Sequence, residues 1–148
     1  MDAQDTGRRL IWHGIFLFLL GLLTGFVVQQ FTNPRMGLTS HLEGVMNGMF
    51  LVLLGLIWGR VRLGPGVATM TFWLALYGTY VNWGSTLLAA VWGTSMMSPI
   101  AGTGYDGSPW QESIVNFGLI SLSVAMVGCC VILLWGLRKG TAQEALAP

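Results

Sequence analysis

The stretch LIWHGIFLFLLGLLTGFVVQQF, residues 10–31, decides the class of fold to which this chain belongs. It contains no Asp, Glu, Lys or Arg, and its 22 residues exceed the roughly 20 residues of helix that cross the hydrocarbon core of a bilayer. The run is too long for a signal peptide and ends without a small-residue cleavage site, which indicates a retained anchor. The stretch therefore predicts a membrane-spanning helix.

The composition of the whole chain agrees with this prediction. Of its 148 residues, 53% are hydrophobic and only 9% are charged, and the mean hydropathy is +0.65. These values lie outside the range of soluble domains. The net charge is +1 and no run of basic residues occurs, so we expect no nucleic-acid partner. We expect an integral membrane protein that is surrounded by the lipid bilayer.

Three more apolar segments follow the first, and polar or glycine-rich residues separate them. The four segments cover residues 10–31, 41–58, 67–92 and 113–137. They predict an all-α integral membrane four-helix bundle that forms a single domain over residues 1–148. The positive-inside rule places both termini in the cytoplasm, as for a multi-pass protein of the inner membrane. This prediction of orientation rests on six of the seven basic residues: Arg8, Arg9, Arg60, Arg62, Arg138 and Lys139.

The start of the second predicted helix carries the polar stretch TSHLEGVMNG, residues 39–48. Ionisable side chains at membrane depth are costly and point to a functional site. Because residues three, four and seven apart share a helix face, His41, Gly44 and Gly48 form one stripe. That stripe would leave room beside the histidine for a flat cofactor. The alternative is that the two glycines only pack against another helix.

Glu43 and Asn47 are four residues apart and share a different face of the same helix. Together they present a carboxylate and an amide, which could orient a substrate. Two structural alternatives remain open. Glu43 could close a capping box with Ser40 at the start of the helix, and Asn47 could form an interhelical hydrogen bond.

The third predicted helix is unusually polar and aromatic. Tyr77 and Tyr80 share one face with Trp73, whereas Asn82 lies on another face with Thr79. A cavity lined by aromatic rings would suit an aromatic substrate. Hydrogen bonding between helices is the alternative explanation for these polar groups.

The two histidines of the chain lie towards opposite sides of the membrane. His13 is near the start of the first span and His41 begins the second, so about 25 Å of helix separates them. They cannot ligate one metal together, which argues against a bis-histidine electron-transfer haem. We expect His13 to form a hydrogen bond at the interface or between helices.

The run NPRMGLTSHLEGVMNG, residues 33–48, closely resembles the bacterial hydroxylaminobenzene mutases, and the likeness covers most of residues 10–137. More distantly, the chain is similar to styrene oxide isomerase, a four-helix membrane enzyme that uses ferric haem b as a Lewis acid at the subunit interfaces of a trimer. The resemblance implies an isomerase that rearranges hydroxylaminobenzene, a small aromatic hydroxylamine, to 2-aminophenol. It also implies haem b as cofactor and a homo-oligomer, a trimer in the isomerase.

The resemblance assigns roles to particular residues. His41 matches the axial haem ligand, and Asn47 matches a functional asparagine six residues after it. Asn82 falls at the spacing of an asparagine in the third helix. The Gly44 and Gly48 face would then receive the flat cofactor beside His41.

One departure from the isomerase pattern concerns its functional tyrosine, which falls near Thr86 in this chain. Either Tyr80 or Tyr77, one or two turns earlier, takes its part, or the proton is handled differently. The aromatic faces of Tyr80, Tyr77 or Trp83 could stabilise positive charge on the substrate. Glu43 and Asn47 would orient the amine nitrogen or carry its proton.

Two other functions compete with the mutase. Epoxide isomerisation of the styrene oxide isomerase type uses the same Lewis-acid chemistry on a C–O bond. A non-catalytic small membrane transporter or scaffold belongs to a different class. A proton-coupled exporter would need a carboxylate deep in the first helix, and that span contains none.

Overall fold

The computed structural model of the chain describes residues 2–144, with side chains described as far as residue 138. The described part is helical and contains no strand, which confirms the prediction of an all-α chain. Four long helices are joined by short connections, and one further turn of helix, α4, lies between the last two. The helices are α1 (Ala3–Phe26), α2 (Pro34–Ile57), α3 (Pro65–Trp92), α4 (Pro99–Gly102) and α5 (Pro109–Glu144).

Helix starts are set largely by proline, because α2 to α5 each begin at one. Proline is favoured there since its missing N–H would be unpaired in any case. The start of α2 corrects the sequence prediction: the helix begins at Pro34 and is capped by Asn33, whose side chain accepts two backbone N–H groups at 3.1 and 3.3 Å. The predicted capping box of Ser40 and Glu43 is therefore wrong. His41 lies about two turns inside the helix.

Three helical segments of the described chain are long and apolar enough to cross a membrane: Ala3–Phe26, Pro34–Arg60 and Pro109–Arg138. Helix α3 has 28 residues but is not among them, since its Trp, Tyr and Thr residues lower its hydropathy. Large apolar side chains are widely exposed on α1 and α5, for example Phe26 at 83% and Phe117 at 71%. Such surfaces suit lipid, and together these features indicate a multi-pass membrane protein.

The helices pack in the order of the chain, with α1 along α2, α2 against α3 and α3 against α5. The main core lies between the first three of these helices. Leu17, Leu51 and Phe72 are fully buried there, and α5 contributes Cys129 and Leu133. Side chains in such a core are closely packed, and in a bilayer this van der Waals packing between helices is a main source of stability.

Glycines form the contact between α1 and α2. A Cβ built on Gly44 would lie 2.5 Å from the Cα of Gly21, and one built on Gly48 would lie 2.7 Å from the carbonyl oxygen of Gly14. Small residues allow helix backbones to approach this closely in membranes. The alternative of helix packing therefore holds for Gly44 and Gly48, and the space that we expected beside them is filled by α1. The glycines that face one another pairwise are Gly7, Gly14 and Gly21 of α1 with Gly55, Gly48 and Gly44 of α2.

Asn33 ties the start of α2 to the connection between α3 and α5. It is fully buried, and its Nδ2 donates to the carbonyl of Ala101 at 2.9 Å. Its backbone N–H donates to the carbonyl of Ala90 at the end of α3, also at 2.9 Å. One side chain therefore caps a helix and fixes a loop.

Replacing Asn33 by alanine is expected to lower the free energy of unfolding by about 2 to 3 kcal/mol, since it removes a helix cap and leaves a buried carbonyl without its donor. Asn33→Ser keeps a capping oxygen but cannot reach Ala101, so we expect about half of that loss. Thermal unfolding in detergent measures both. An equal loss in the two variants would contradict a separate contribution from the cap.

Candidate active site

His41 projects from α2 towards the backbone of α1. Its Nδ1 lies 2.8 Å from the carbonyl oxygen of Gly21. Because a carbonyl only accepts, Nδ1 carries the proton, and in the neutral ring Nε2 keeps its lone pair. Within residues 2–138 no side chain or backbone group hydrogen-bonds to Nε2. Histidines that bind metals usually donate their other N–H to a carbonyl or carboxylate in this way.

The ligand set of a metal at His41 would have to come largely from a prosthetic group. The described part of the chain contains no group of three or more His, Cys, Asp or Glu side chains that could hold a metal ion. A haem supplies four nitrogen ligands and needs only one histidine from the protein. The donor set around His41 therefore fits a haem better than a bare metal ion.

Glu43, Asn47 and Asn82 meet between α2 and α3, and we call these three residues the Glu43 cluster. The Oε2 of Glu43 accepts from Nδ2 of Asn47 at 3.0 Å and from Nδ2 of Asn82 at 2.6 Å. Glu43 is half-buried and Asn47 is only 9% exposed. The structure thus brings together three of the five residues that the sequence predicts to be catalytic.

The Glu43 cluster and His41 lie on different sides of α2. Residues two apart on a helix project about 200° from one another, so Glu43 points away from His41. Helix α1 packs beside His41, whereas α3 packs beside Glu43. One small substrate within a single chain cannot contact both side chains.

The two predicted tyrosines are not part of the Glu43 cluster. The Tyr80 hydroxyl lies 3.1 Å from Nδ1 of His13 and 3.3 Å from the His13 carbonyl oxygen, to which it can donate. The predicted interhelical hydrogen bond of His13 is therefore confirmed. Tyr77 pairs with Oγ of Ser121 at 2.7 Å. Both tyrosines line a groove of about 420 Å³ between α3 and α5, and Tyr80 projects about 200° from Asn82.

Sequence reasoning missed the contacts that hold α3 in place beside the Glu43 cluster. Nε1 of Trp83 donates to Oγ1 of Thr24 at 3.2 Å, and Oγ of Ser40 donates to the carbonyl of Trp83 at 3.2 Å. The carbonyl of Gly21 was missed as well, because every residue has one and no sequence pattern marks it. The spacing of seven residues between Gly7, Gly14 and Gly21 could have identified the face of α1 that packs on α2.

Comparisons with known proteins agree with this architecture. A sequence model of the styrene oxide isomerase family matches residues 6–138. The chain is 54% identical over 138 residues to the hydroxylaminobenzene mutase HabB of Ectopseudomonas oleovorans, across 93% of this chain and 84% of HabB. It is 45% identical over 127 residues to the hydroxylaminobenzene mutase HabA of the same organism, across 85% of this chain and 94% of HabA. No solved structure matches the chain significantly.

The apolar helices and the family match together define a small helical isomerase of the membrane. With two curated relatives that are matched over most of their length, the chain belongs to the hydroxylaminobenzene mutase family. The resemblance inferred from residues 33–48 is thereby confirmed. The relatives are named as enzymes, which favours a mutase or isomerase over a transporter or scaffold.

Proposed function

We propose that this chain rearranges hydroxylaminobenzene to 2-aminophenol. Its relatives HabB and HabA are named hydroxylaminobenzene mutases, and these names support the choice of substrate. The N–O bond breaks and the oxygen forms a bond to the ortho carbon. That carbon loses its proton, and the nitrogen gains a proton. Substrate and product are isomers, so no external oxidant or reductant is consumed. The contact between His41 and the Gly21 carbonyl carries the chemical part of this proposal.

His41 is the residue that would hold haem b through Nε2, because its Nδ1–H already donates a hydrogen bond to the carbonyl oxygen of Gly21. When bound, a ferric haem supplies Lewis acidity that makes the hydroxylamine oxygen a better leaving group. Gly25 lies against the imidazole ring, since a Cβ built there would be 2.7 Å from Nδ1. The absence of side chains at Gly21 and Gly25 thus lets the histidine reach the α1 backbone.

The Glu43 cluster would bind the nitrogen of the substrate. Its carboxylate offsets the positive charge that develops on nitrogen and ring when the N–O bond breaks, and fixed charges of this kind are effective where water is excluded. Glu43 would also accept the proton that leaves the ortho carbon and return a proton to the nitrogen. Asn47 and Asn82 keep the carboxylate in one orientation.

A homo-oligomer would bring the two halves of the site together. His41 and Glu43 point to different sides of α2, so a second copy can present its Glu43 cluster to the His41 of the first. The resemblance to styrene oxide isomerase favours a trimer for this arrangement. The proposal thus assigns each active site to two neighbouring subunits.

We also propose that α3 crosses the membrane with the other three long helices, with both termini in the cytoplasm and the inner membrane as location. Several hydroxyls of α3 are buried and donate to carbonyls of their own helix. Thr71 donates to Val67 and Thr79 to Ala75, both at 2.7 Å. Hydroxyls satisfied in this way are tolerated in membrane-spanning helices.

Isotope labelling tests the mutase assignment. Purified protein incubated with hydroxylaminobenzene that carries ¹⁸O on nitrogen is expected to give 2-aminophenol that retains the label, because the oxygen moves within the molecule and the site excludes bulk water. The matched experiment uses unlabelled substrate in H₂¹⁸O. Product labelled from water would contradict an intramolecular transfer, and unreacted substrate would contradict the mutase function.

Epoxide isomerisation is the second candidate because the styrene oxide isomerase model covers residues 6–138. Both reactions need a Lewis acid and a place for a cationic ring. Turnover of styrene oxide without turnover of hydroxylaminobenzene would favour this alternative.

A further inference from the structure

The Glu43 cluster leaves three acceptor oxygens without a partner, against one remaining N–H on each of its two amide groups. Asn47 and Asn82 both turn their NH₂ groups to Oε2 of Glu43, which accepts a hydrogen bond from each. The amide oxygens therefore point elsewhere. Within residues 2–138, no hydrogen bond reaches these two amide oxygens or the second carboxylate oxygen, Oε1.

These three oxygens are open to a small molecule. In the described part of the chain, the enclosed side-chain polar atoms that lack a partner are Oγ of Ser108 and Oδ1 of Asn116, and none belongs to the cluster. The cluster is nevertheless only partly accessible, with Asn47 at 9% exposure. A ligand that covers it removes water from three acceptors at once.

We propose that the Glu43 cluster selects substrates that carry N–H or O–H donors, which makes this chain selective for aryl hydroxylamines over epoxides. The inference rests on the proposed function, since it concerns the substrate class of that same site. A hydroxylamine has an N–H and an O–H to give to the cluster. An epoxide has no hydrogen-bond donor, so it would remove water from the three oxygens of the Glu43 cluster without replacing the hydrogen bonds of that water.

Charge does not separate the two substrate classes, because ring opening of a styrene oxide and N–O cleavage both place positive charge beside the ring. Hydrogen-bond donors do separate them. A buried acceptor that loses its partner lowers affinity by about tenfold to a hundredfold. Sites built to bond a polar group discriminate strongly against analogues that lack it.

The competing explanation is that the cluster only fastens α2 to α3. Removal of Glu43 would then loosen the helices and weaken every ligand equally. Selection by donors predicts instead that affinity changes according to the number of donors on the ligand. A comparison of two ligands of equal size separates these explanations.

Aniline and toluene are suitable probes because they differ in an amino group against a methyl group. Their dissociation constants are measured by calorimetry on the full-length protein in detergent. We expect Glu43→Gln to lower the preference for aniline over toluene about tenfold relative to wild type, since Gln brings an N–H into the cluster and turns one asparagine donor outward. Each probe partitions into detergent to the same extent for every variant. Comparing the aniline-to-toluene preference between variants therefore removes that contribution.

Two further variants complete the test. Ser40→Ala loosens the same helix interface by removing the hydrogen bond to the Trp83 carbonyl, and it should keep the wild-type preference. Glu43→Ala removes both carboxylate oxygens and frees the two asparagine NH₂ groups as donors, so it should lower the preference severalfold and serves if Glu43→Gln does not fold. An unchanged preference in both cluster variants, or a loss equal to that in Ser40→Ala, would overturn the proposal.

Turnover of hydroxylaminobenzene by the wild type is measured in parallel. Binding selectivity that depends on Glu43, without turnover, would refute the mutase function and leave donor selection intact. Turnover without any preference for aniline would refute donor selection and leave the mutase function intact.

Discussion

Under the proposed role of His41 in holding haem, its replacement by alanine is expected to remove the haem absorption band and the iron from the purified protein, and to lower turnover of hydroxylaminobenzene about 100-fold or more. The reason is that His41 offers an imidazole nitrogen free for a metal, with its other nitrogen held by the Gly21 carbonyl. Absorption spectra and iron content measure binding separately from activity.

The other histidine provides the control. Nδ1 of His13 is paired with Tyr80, and about 18 Å of α1 separates residue 13 from residue 25, which lies beside His41. His13→Ala should therefore keep both the band and the iron. Colourless wild-type protein that still forms 2-aminophenol would overturn the role of haem while leaving the mutase function in place.

Replacement of Gly44 by alanine is expected to destabilise the protein by about 3 kcal/mol, or to prevent folding, because the added methyl group would collide with the backbone of α1. The Cβ would lie 2.5 Å from the Cα of Gly21 and 2.9 Å from Cδ1 of Trp83. Neither backbone can move without separating α1 from α2. The yield of folded protein and its thermal unfolding in detergent measure the effect.

Gly128→Ala is the matched control because it makes the same change inside α5. A Cβ built on Gly128 has no neighbour within 4 Å. Alanine is also the better helix former, so this variant should be as stable as wild type or slightly more stable. Similar stability of the two variants would show that α1 and α2 do not approach as closely as described.

The class of fold and the shared helix face of Glu43 and Asn47 could be predicted from the sequence because they depend on local regularities. Apolar length predicts spanning helices, and the spacing of four between Glu43 and Asn47 places them on one face. The start of α2 was predicted wrongly because Ser40 and Glu43 fit a capping pattern. The actual cap is Asn33, and Pro34 is the first residue of the helix.

Relations between helices could not be predicted in the same way. The bond from Asn82 to Glu43 and the bond from His41 to Gly21 join residues on different helices. Their formation depends on the register of the packed helices, which a single sequence does not reveal. The same holds for Tyr80, whose pairing with His13 turns it away from the Glu43 cluster.

The glycine contact between α1 and α2 also determines the position of the His41 imidazole. Gly25 contacts the imidazole of His41, and the carbonyl oxygen of Gly21 accepts the hydrogen bond from its Nδ1. In the proposed haem site, the closeness of the two helices would thus hold the ring in the orientation in which Nε2 faces the iron. A side chain at position 25 would push the ring away from its acceptor, even if the helices stayed together. If His41 binds haem iron as proposed, the packing of these helices in the membrane would therefore influence that bond.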